Sequence, residues 1–121
     1  MIKGTGIDII EIERVKSAIE NRKFMERIFT KHEIEYFNTT NNNIYTIAGT
    51  FASKEAVAKA LGTGIRGFKW VDVEIVRDEL GKPMVILHEE AKTIANQREI
   101  SRIEISISHC KEYAVSQAIA L

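Results

Sequence analysis

The sequence predicts an α+β domain in which a mainly antiparallel sheet of about five strands is covered by helices. Apolar and polar residues alternate with a period of two in about five short segments. Several of these segments are neighbours joined by tight turns, and helical patterns occupy the stretches between the others. A chain of 121 residues has the usual size of one domain, so we expect a single domain over residues 1–121.

The first predicted element is a strand over residues 2–10. Ile7 and Ile9 fall on one face of this strand, and Gly4, Gly6 and Asp8 fall on the other. Because glycine has no side chain, the face that carries Asp8 is partly bare.

Helical patterns follow the first strand. Apolar residues recur at helical spacing over residues 12–19 and again over residues 24–29. Thr30 and Glu33 have the spacing of a capping box, which predicts the start of a short helix. The polar side of the first two segments is basic and carries Arg14, Lys16, Arg22, Lys23 and Arg27.

A long helix is predicted over residues 44–61, with Gly62 as its terminator. At 100° per residue, Glu55 falls in the middle of the apolar sector of this helix, and Lys59 lies one turn further on at the edge of that sector. Three glycines in residues 62–67 then predict a flexible loop whose backbone a ligand can approach closely.

The second half of the chain predicts two strand pairs and a helix. Residues 71–76 and 83–87 alternate and form a hairpin, and residues 88–98 have helical spacing. Residues 103–109 and 113–121 alternate again and form a closing hairpin. Strand edges left unpaired in such a fold would be closed by oligomerisation.

Composition narrows the class of protein. Seventeen basic and seventeen acidic residues cancel, which argues against a general nucleic-acid binder. No apolar run approaches the roughly 20 residues that cross a bilayer, so we expect no membrane segment. The start of the chain lacks the pattern of a secretory signal, and Cys110 is the single cysteine, so the expected location is the cytoplasm.

Asp8 and Glu55 are the two carboxylates in unexpected places, and each has an ordinary explanation. Glu55 and Lys59 could form a helical ion pair, and Asp8 could cap the helix that follows its strand. A carboxylate directed into an apolar sector nevertheless costs several kcal/mol unless it is paired or bound to a metal. Two such acids therefore suggest a shared cation.

His109 ends an isoleucine-rich strand, where a packed or hydrogen-bonded histidine is more common than one that acts as a ligand or a base. A catalytic pair with the adjacent Cys110 is disfavoured, because neighbouring residues of a strand point to opposite faces. The loop 62–67 has neither the lysine and hydroxyl of a P-loop nor dinucleotide-binding spacing.

Several blocks together resemble the holo-acyl carrier protein synthases, a family of small phosphopantetheinyl transferases, over nearly the whole chain. Residues 4–9 read GTGIDI with Arg14 downstream, and residues 51–62 read FASKEAVAKALG. Residues 81–83, GKP, and residues 106–109, SISH, match two further family stretches in the expected order. Leu80 and Cys110 depart from common family residues but lie outside the first two blocks.

The resemblance implies transfer of the 4'-phosphopantetheine arm of coenzyme A to a serine of apo acyl carrier protein, for fatty acid biosynthesis, with release of adenosine 3',5'-bisphosphate. It implies a magnesium ion held by Asp8 and Glu55, with Lys59 near the phosphates, so that these three residues form the catalytic set. Gly4 and Gly6 would leave room for the ion and the diphosphate. The expected coenzyme A contacts are Lys59, Gly62, Lys82, Pro83 and His109, with Arg66 and Lys69 as further candidates for the 3'-phosphate.

The resemblance also implies a homotrimer with coenzyme A in clefts between subunits, and a carrier-docking region around Arg14, Arg22 and Arg27. Glu55, a metal-bound water and a water held by Asp8 all remain open as acceptors of the serine proton. Two rival functions are a non-catalytic trimer that binds coenzyme A or a carrier protein, and a ligand-sensing oligomer. The second rival requires Asp8 and Glu55 to lie apart in space.

Overall fold

The computed structural model describes all 121 residues and contains five strands, five α-helices and one 3₁₀ turn. The sequence predicts three or four helices, and the additional one arises because Asn21 interrupts the first helical stretch and caps a new helix with its side chain. None of the helices combines the length and apolar character that spanning a membrane requires. The elements are β1 (Gly4–Glu11), α1 (Ile12–Ala18), α2 (Arg22–Ile28), α3 (Lys31–Thr39), α4 (Ile44–Ala60), the 3₁₀ turn (Trp70–Asp72), β2 (Val73–Arg77), β3 (Pro83–Leu87), α5 (Glu89–Gln97), β4 (Ile103–His109) and β5 (Tyr113–Ala120).

The strands form two antiparallel sheets, whereas the sequence predicts one. Strand β5 lies between β1 and β4, and β2 pairs only with β3. A groove of about 400 Å³ separates β3 from β4, and side chains such as Leu87, Ala95 and Ile103 line it. These two strands are therefore neighbours through side-chain packing, and no backbone ladder joins them.

The 3₁₀ turn shortens the second predicted strand. Asp72 accepts a hydrogen bond from the Lys69 backbone N–H to its Oδ2 at 3.0 Å, which holds the turn closed. Strand β2 consequently begins at Val73, two residues later than the alternation predicts.

Helix α4 packs directly on β1 because Gly4 and Gly6 carry no side chains. A Cβ at Gly6 would lie 1.9 Å from the Ala56 carbonyl oxygen, and one at Gly4 would lie 2.2 Å from the Ala60 carbonyl oxygen. The bare face of the strand is thus filled by helix backbone. This corrects the expectation that the glycines leave room for an ion: they bring α4 close to Asp8.

Helix α4 is buried on most of its circumference, between two hydrophobic clusters. One cluster lies between α4, α5 and both sheets, and the other lies between α1, α2, α3 and the first half of α4. Inside this packing Lys54 is fully buried and bonds Glu33 Oε1 at 2.7 Å and the carbonyls of Val73 and Trp70. The Glu33 carboxylate also accepts the backbone N–H groups of Thr30 and Ile75. The capping box predicted at Thr30 and Glu33 is confirmed.

We expect Gly6→Ala to destabilise the fold by about 3 kcal/mol or more, because the added methyl group meets the rigid backbone of α4. Gly49→Ala is the matched control. A Cβ there would meet the Cγ2 methyl group of Ile107 at 2.8 Å, which is a side-chain atom and not backbone, and alanine favours the helix, so we expect a smaller loss of stability. Urea unfolding monitored by circular dichroism measures both. Equal losses in the two variants would contradict the role assigned to Gly6.

Candidate active site

Asp8 of β1 and Glu55 of α4 line the same cleft, a cavity of about 340 Å³. Strand β1 supplies Asp8, and the close packing of α4 on β1 brings Glu55 to the same opening. Arg14 of α1 lies at the cleft as its one basic residue. The remaining wall is apolar and consists of Ile9, Ile10, Val15, Ala18, Phe24 and Phe51.

Lys59 joins this cleft through Asp8. Its Nζ donates to the Ile7 carbonyl oxygen at 2.8 Å and to Asp8 Oδ1 at 3.4 Å. The helical ion pair between Glu55 and Lys59 does not form, because Lys59 reaches across to β1. Asp8 does not cap α1 either: Glu11 occupies the N-cap position, without a side-chain hydrogen bond. Both ordinary explanations of the two carboxylates are therefore excluded.

Burial in the cleft raises the pKa values of both carboxyl groups. For Asp8, partial desolvation raises the pKa, and the hydrogen bond and charge of Lys59 oppose it. For Glu55, desolvation is again the main cause, the negative charge of Asp8 raises the pKa further, and Lys59 opposes both. The two acids thus repel each other in an environment that disfavours their ionised forms.

This donor set fits a hydrated magnesium ion. Magnesium commonly takes one or two protein carboxylates, keeps several waters and completes its shell with substrate phosphates. No group of three or more histidine, cysteine or acidic side chains forms a complete metal cage anywhere in the chain. A cation between Asp8 and Glu55 would relieve their repulsion and compensate for their desolvation. The meeting of the two acids also removes the premise of the ligand-sensing alternative.

Lys82, Pro83 and His109 line a second cavity, of about 580 Å³. Here the hairpin β2–β3 faces the end of β4 and the start of α4. The ring of Tyr45 stacks on His109 with centroids 4.6 Å apart and planes at 20°. Arg77 also lines this cavity, and its guanidinium lies over the ring of Tyr36 at 5.2 Å. The cavity thus combines two cations with flat aromatic surfaces.

The two cavities share no lining residue. Gly62 lies in neither: it follows α4 with a φ of +86°, and its N–H donates to the Lys59 carbonyl oxygen at 2.9 Å. Arg66 and Lys69 are exposed, and Lys69 lies beside a third opening with Asp72 and Glu89. A single chain therefore does not unite all the residues that the sequence predicts for coenzyme A.

The basic residues of the first two helices are exposed. Arg14 borders the Asp8 and Glu55 cleft, and Arg27 lies in the last turn of α2. Arg22 forms an exposed ion pair with Glu26 at 3.2 Å. We call the exposed residues Arg14, Arg22, Lys23 and Arg27 together the α1–α2 basic surface.

Sequence reasoning missed Arg77, Tyr36 and Tyr45, because their meeting depends on where the hairpin docks. It also missed the Lys54 and Glu33 pair. One pattern could have found Lys54: α4 has apolar or small residues on most sides, which predicts extensive burial and leaves Lys54, one of its two lysines, in need of an internal partner.

Comparison with known proteins gives consistent matches. The family model described as 4'-phosphopantetheinyl transferase superfamily matches residues 4–118. A holo-[acyl-carrier-protein] synthase of Alkaliphilus oremlandii is 61% identical over 122 residues and is covered completely, as is this chain. A protein of the same name from a Thermoanaerobacter strain is 54% identical over 117 residues, which cover 96% of this chain and 85% of the relative.

Solved structures agree with this fold. The holo-[acyl-carrier-protein] synthase of Neisseria meningitidis superposes with a TM-score of 0.91 at 32% identity, covering 100% of this chain and 99% of that one. The enzyme of Bacillus anthracis, described as a complex with CoA (3',5'-ADP), gives 0.82 at 39% identity and covers 99% and 96%. The enzyme of Helicobacter pylori, in complex with coenzyme A, gives 0.85 at 30% identity and covers 97% and 99%.

The raised pKa of Glu55 predicts that Glu55→Gln increases stability in metal-free buffer at pH 7. The folded state binds the Glu55 proton more readily than the unfolded state, so ionisation at neutral pH weakens the fold. Removing that charge should add up to about 1 kcal/mol, limited by solvent screening in the open cleft. The advantage should shrink as the pH falls through the raised pKa toward the ordinary value of 4.5, because the native carboxyl group then becomes neutral as well.

Urea unfolding across this pH range, with chelator or with magnesium, provides the measurement. Magnesium should stabilise the native chain and have little effect on the variant, and Glu104→Gln, at an exposed site on β4, is the control. A Glu55→Gln protein that is less stable than the native chain at pH 7 without metal would contradict this electrostatic account.

Proposed function

The chain belongs to the 4'-phosphopantetheinyl transferase superfamily, and we propose that it carries out the holo-acyl carrier protein synthase reaction at the cleft of Asp8, Glu55 and Lys59. The reaction transfers the 4'-phosphopantetheine group of coenzyme A to a serine of apo acyl carrier protein and releases adenosine 3',5'-bisphosphate. The holo-[acyl-carrier-protein] synthases at 61% and 54% identity support this assignment over the full chain.

The observation that carries the site assignment is the convergence of two carboxylates and a lysine from β1 and α4. The acids lie 47 positions apart in sequence and line one cleft, and Lys59 bonds Asp8 there. An assembly of desolvated acids with raised pKa values beside a fixed cation is typical of a functional site.

Asp8 and Glu55 would hold a magnesium ion, which supplies charge stabilisation at the diphosphate and at the leaving phosphate. Lys59 provides a second positive charge at a fixed position, since its Nζ is bonded to the Ile7 carbonyl oxygen. Attack of a serine oxygen on the β-phosphate requires positioning and charge compensation above all. Glu55, which lines the cleft, a metal-bound water and a water held by Asp8 are the three candidate acceptors of the serine proton.

The second cavity suits the nucleotide end of coenzyme A. Lys82 and Arg77 offer cations for phosphate groups, and the stacked rings of Tyr45 and His109 offer a flat surface for a base. Pro83 keeps the strand start that follows Lys82 rigid. Gly62, beside Lys59, supplies backbone that the diphosphate can approach.

A homotrimer would unite the two cavities across subunit boundaries. The face of the three-stranded sheet opposite α4 carries large apolar side chains that are exposed in one chain: Ile7 and Ile9 are 61% and 64% exposed, and Tyr113 is 42% exposed. Exposed apolar faces of this kind favour association with further copies. Coenzyme A would then lie between one subunit's cleft and the next subunit's Lys82 and His109.

The α1–α2 basic surface would dock the carrier protein, because acyl carrier proteins are acidic and complementary charge guides encounter. Arg14 is the leading residue, since it borders the catalytic cleft itself. The non-catalytic alternative, a trimer that only binds coenzyme A or a carrier, gives no use for the Asp8, Glu55 and Lys59 arrangement.

Incubation of the protein with apo acyl carrier protein, coenzyme A and magnesium should add one phosphopantetheine mass to the carrier, as measured by mass spectrometry. Asp8→Asn and Glu55→Gln should fold and lose this activity by at least about 100-fold, since each removes a proposed ligand of the ion. Arg102→Ala, at an exposed position away from both cavities, is the control. Absence of any mass gain with the native chain refutes the transfer reaction, and near-native turnover in either cleft variant removes that residue from the site.

Arg14→Glu should raise the apparent KM for the carrier protein by about tenfold and leave the KM for coenzyme A unchanged, because it reverses a charge on the docking surface and removes no proposed coenzyme A contact. Steady-state kinetics with each substrate varied separately measure this split. Arg102→Glu makes the same charge change elsewhere and should leave both constants unchanged. An unaltered carrier KM in Arg14→Glu excludes this surface.

The trimer predicts a threefold chain mass in sedimentation equilibrium at micromolar concentration. Ile9→Glu places a charge in the apolar face and should shift the mass toward that of a single chain, whereas Glu90→Gln, at an exposed site on α5 outside this sheet, should not. A native chain that sediments as a monomer while active would contradict a site shared between subunits.

A further inference from the structure

The side chain of Arg98 contacts the C-terminal end of α4. It is the last residue capping α5, and its Nη1 donates a hydrogen bond to the Leu61 carbonyl oxygen. A Cβ built on Gly62 would lie 1.8 Å from Arg98 Nη1 and 2.8 Å from its Cζ. The guanidinium therefore occupies the place that any side chain at position 62 would need. Gly62 is required here both by its φ of +86° and by this contact.

The direction of Arg98 is set by the way α5 ends. Glu99 adopts a left-handed φ of +57°, and the Ile100 N–H donates to the Ala95 carbonyl oxygen at 2.9 Å. This is the Schellman arrangement, and the buried side chain of Ile100 anchors it. Lys3 Nζ also bonds the Glu99 carbonyl oxygen at 3.1 Å, which ties this end of α5 to the start of β1.

The charge of Arg98 is directed at the carbonyl end of α4 and not at an acid. Arg98 forms no ion pair with any carboxylate. Its position at Leu61 complements the negative end of the helix dipole. The last turn of this helix carries Lys59, whose own carbonyl oxygen accepts the Gly62 N–H. Arg98 thus fixes the junction between Lys59 and the loop 62–67.

Helices α4 and α5 make further contacts to the loop 62–67. A Cβ built on Gly67 would lie 3.7 Å from the Cδ1 atom of Ile94 of α5, whereas one built on Gly64 would meet no atom within 4 Å. The first half of the loop is held by the Gly64 N–H, which donates to the Ala58 carbonyl oxygen at 3.1 Å, and by Arg98. Loss of the Arg98 side chain would free the Gly62 region to sample other conformations, because glycine has the widest choice of them.

We propose that Arg98 is a positioning residue for coenzyme A: it holds the Gly62 backbone and the last turn of α4 in the conformation that receives the diphosphate beside Lys59. This inference rests on the proposed function. Arg98 itself acts through Leu61 and Gly62. Its loss therefore affects the binding of coenzyme A and leaves the recognition of the carrier protein unaffected.

Arg98→Ala should raise the KM for coenzyme A about tenfold and leave the KM for the carrier within about twofold, since one charge-assisted hydrogen bond that orders the loop is lost. Arg98→Lys retains the charge but not the flat guanidinium, so about a threefold increase is expected. Arg102→Ala, an exposed arginine four residues on, should change neither constant. If Arg98→Ala is too unstable to assay, Arg98→Lys provides the test. A KM for coenzyme A equal to that of the native chain in Arg98→Lys would then overturn the proposal.

A double-mutant cycle with Gly62→Ala tests the contact directly. Titration calorimetry with coenzyme A and magnesium should show that Gly62→Ala weakens binding more in the native background than in the Arg98→Ala background, because only the native background contains the collision. Equal losses in both backgrounds, or equal increases in both KM values in Arg98→Ala, overturn the positioning role. If the native chain transfers phosphopantetheine and Arg98→Ala has the same kinetic constants, only this inference is rejected. If the native chain itself shows no transfer, the proposed function is rejected.

Discussion

The close approach of α4 to β1 is the constraint on which the candidate site depends. Asp8 belongs to the strand, and Glu55 and Lys59 belong to the helix, so the three meet only if the two backbones lie nearly in contact. Gly4 and Gly6 permit that contact, since the Ala56 and Ala60 carbonyls occupy the space of their missing side chains. The small, buried residues Ala118 and Ala120 of β5 extend the surface on which α4 packs. The glycines thus shape the candidate site by letting α4 pack on β1, and not by leaving open space beside Asp8.

Local pattern predicted most of the elements. The strand β4 and the helix α4 follow from periodicity, and the capping box fixed the start of α3, because in each case neighbouring residues alone decide the outcome. The division into two sheets could not be predicted, because it depends on side chains in the groove between β3 and β4. The approach of Arg77 to Tyr36 depends likewise on how the hairpin docks. Position on the helical wheel singled out Glu55, whereas Asp8 depended more on the family resemblance.

The desolvation and mutual repulsion of Asp8 and Glu55 cost the folded state free energy, which a bound cation would offset. Two partly desolvated acids repel each other, and Lys59 compensates only Asp8 by direct contact. A binding site that is strained when empty gains affinity for a cation, since binding relieves the strain. The second cavity is different in kind: its cations and stacked rings require no metal. Under the proposed function, one chain keeps the cleft of Asp8 and Glu55 apart from the cavity of Lys82 and His109, and an assembly of chains would bring them together.

The buried ion pair of Lys54 and Glu33 limits which substitutions this protein can accept during evolution. Lys54 uses its three donors on Glu33 and two carbonyls, and Glu33 serves two backbone N–H groups in return. Replacing either residue alone leaves an uncompensated charge in the core, at a cost of about 3–5 kcal/mol. An apolar pair of similar volume could be tolerated, yet every single-step mutational route to it crosses a poorly folded intermediate. Positions 33 and 54 should therefore vary together or not at all among descendants of this chain.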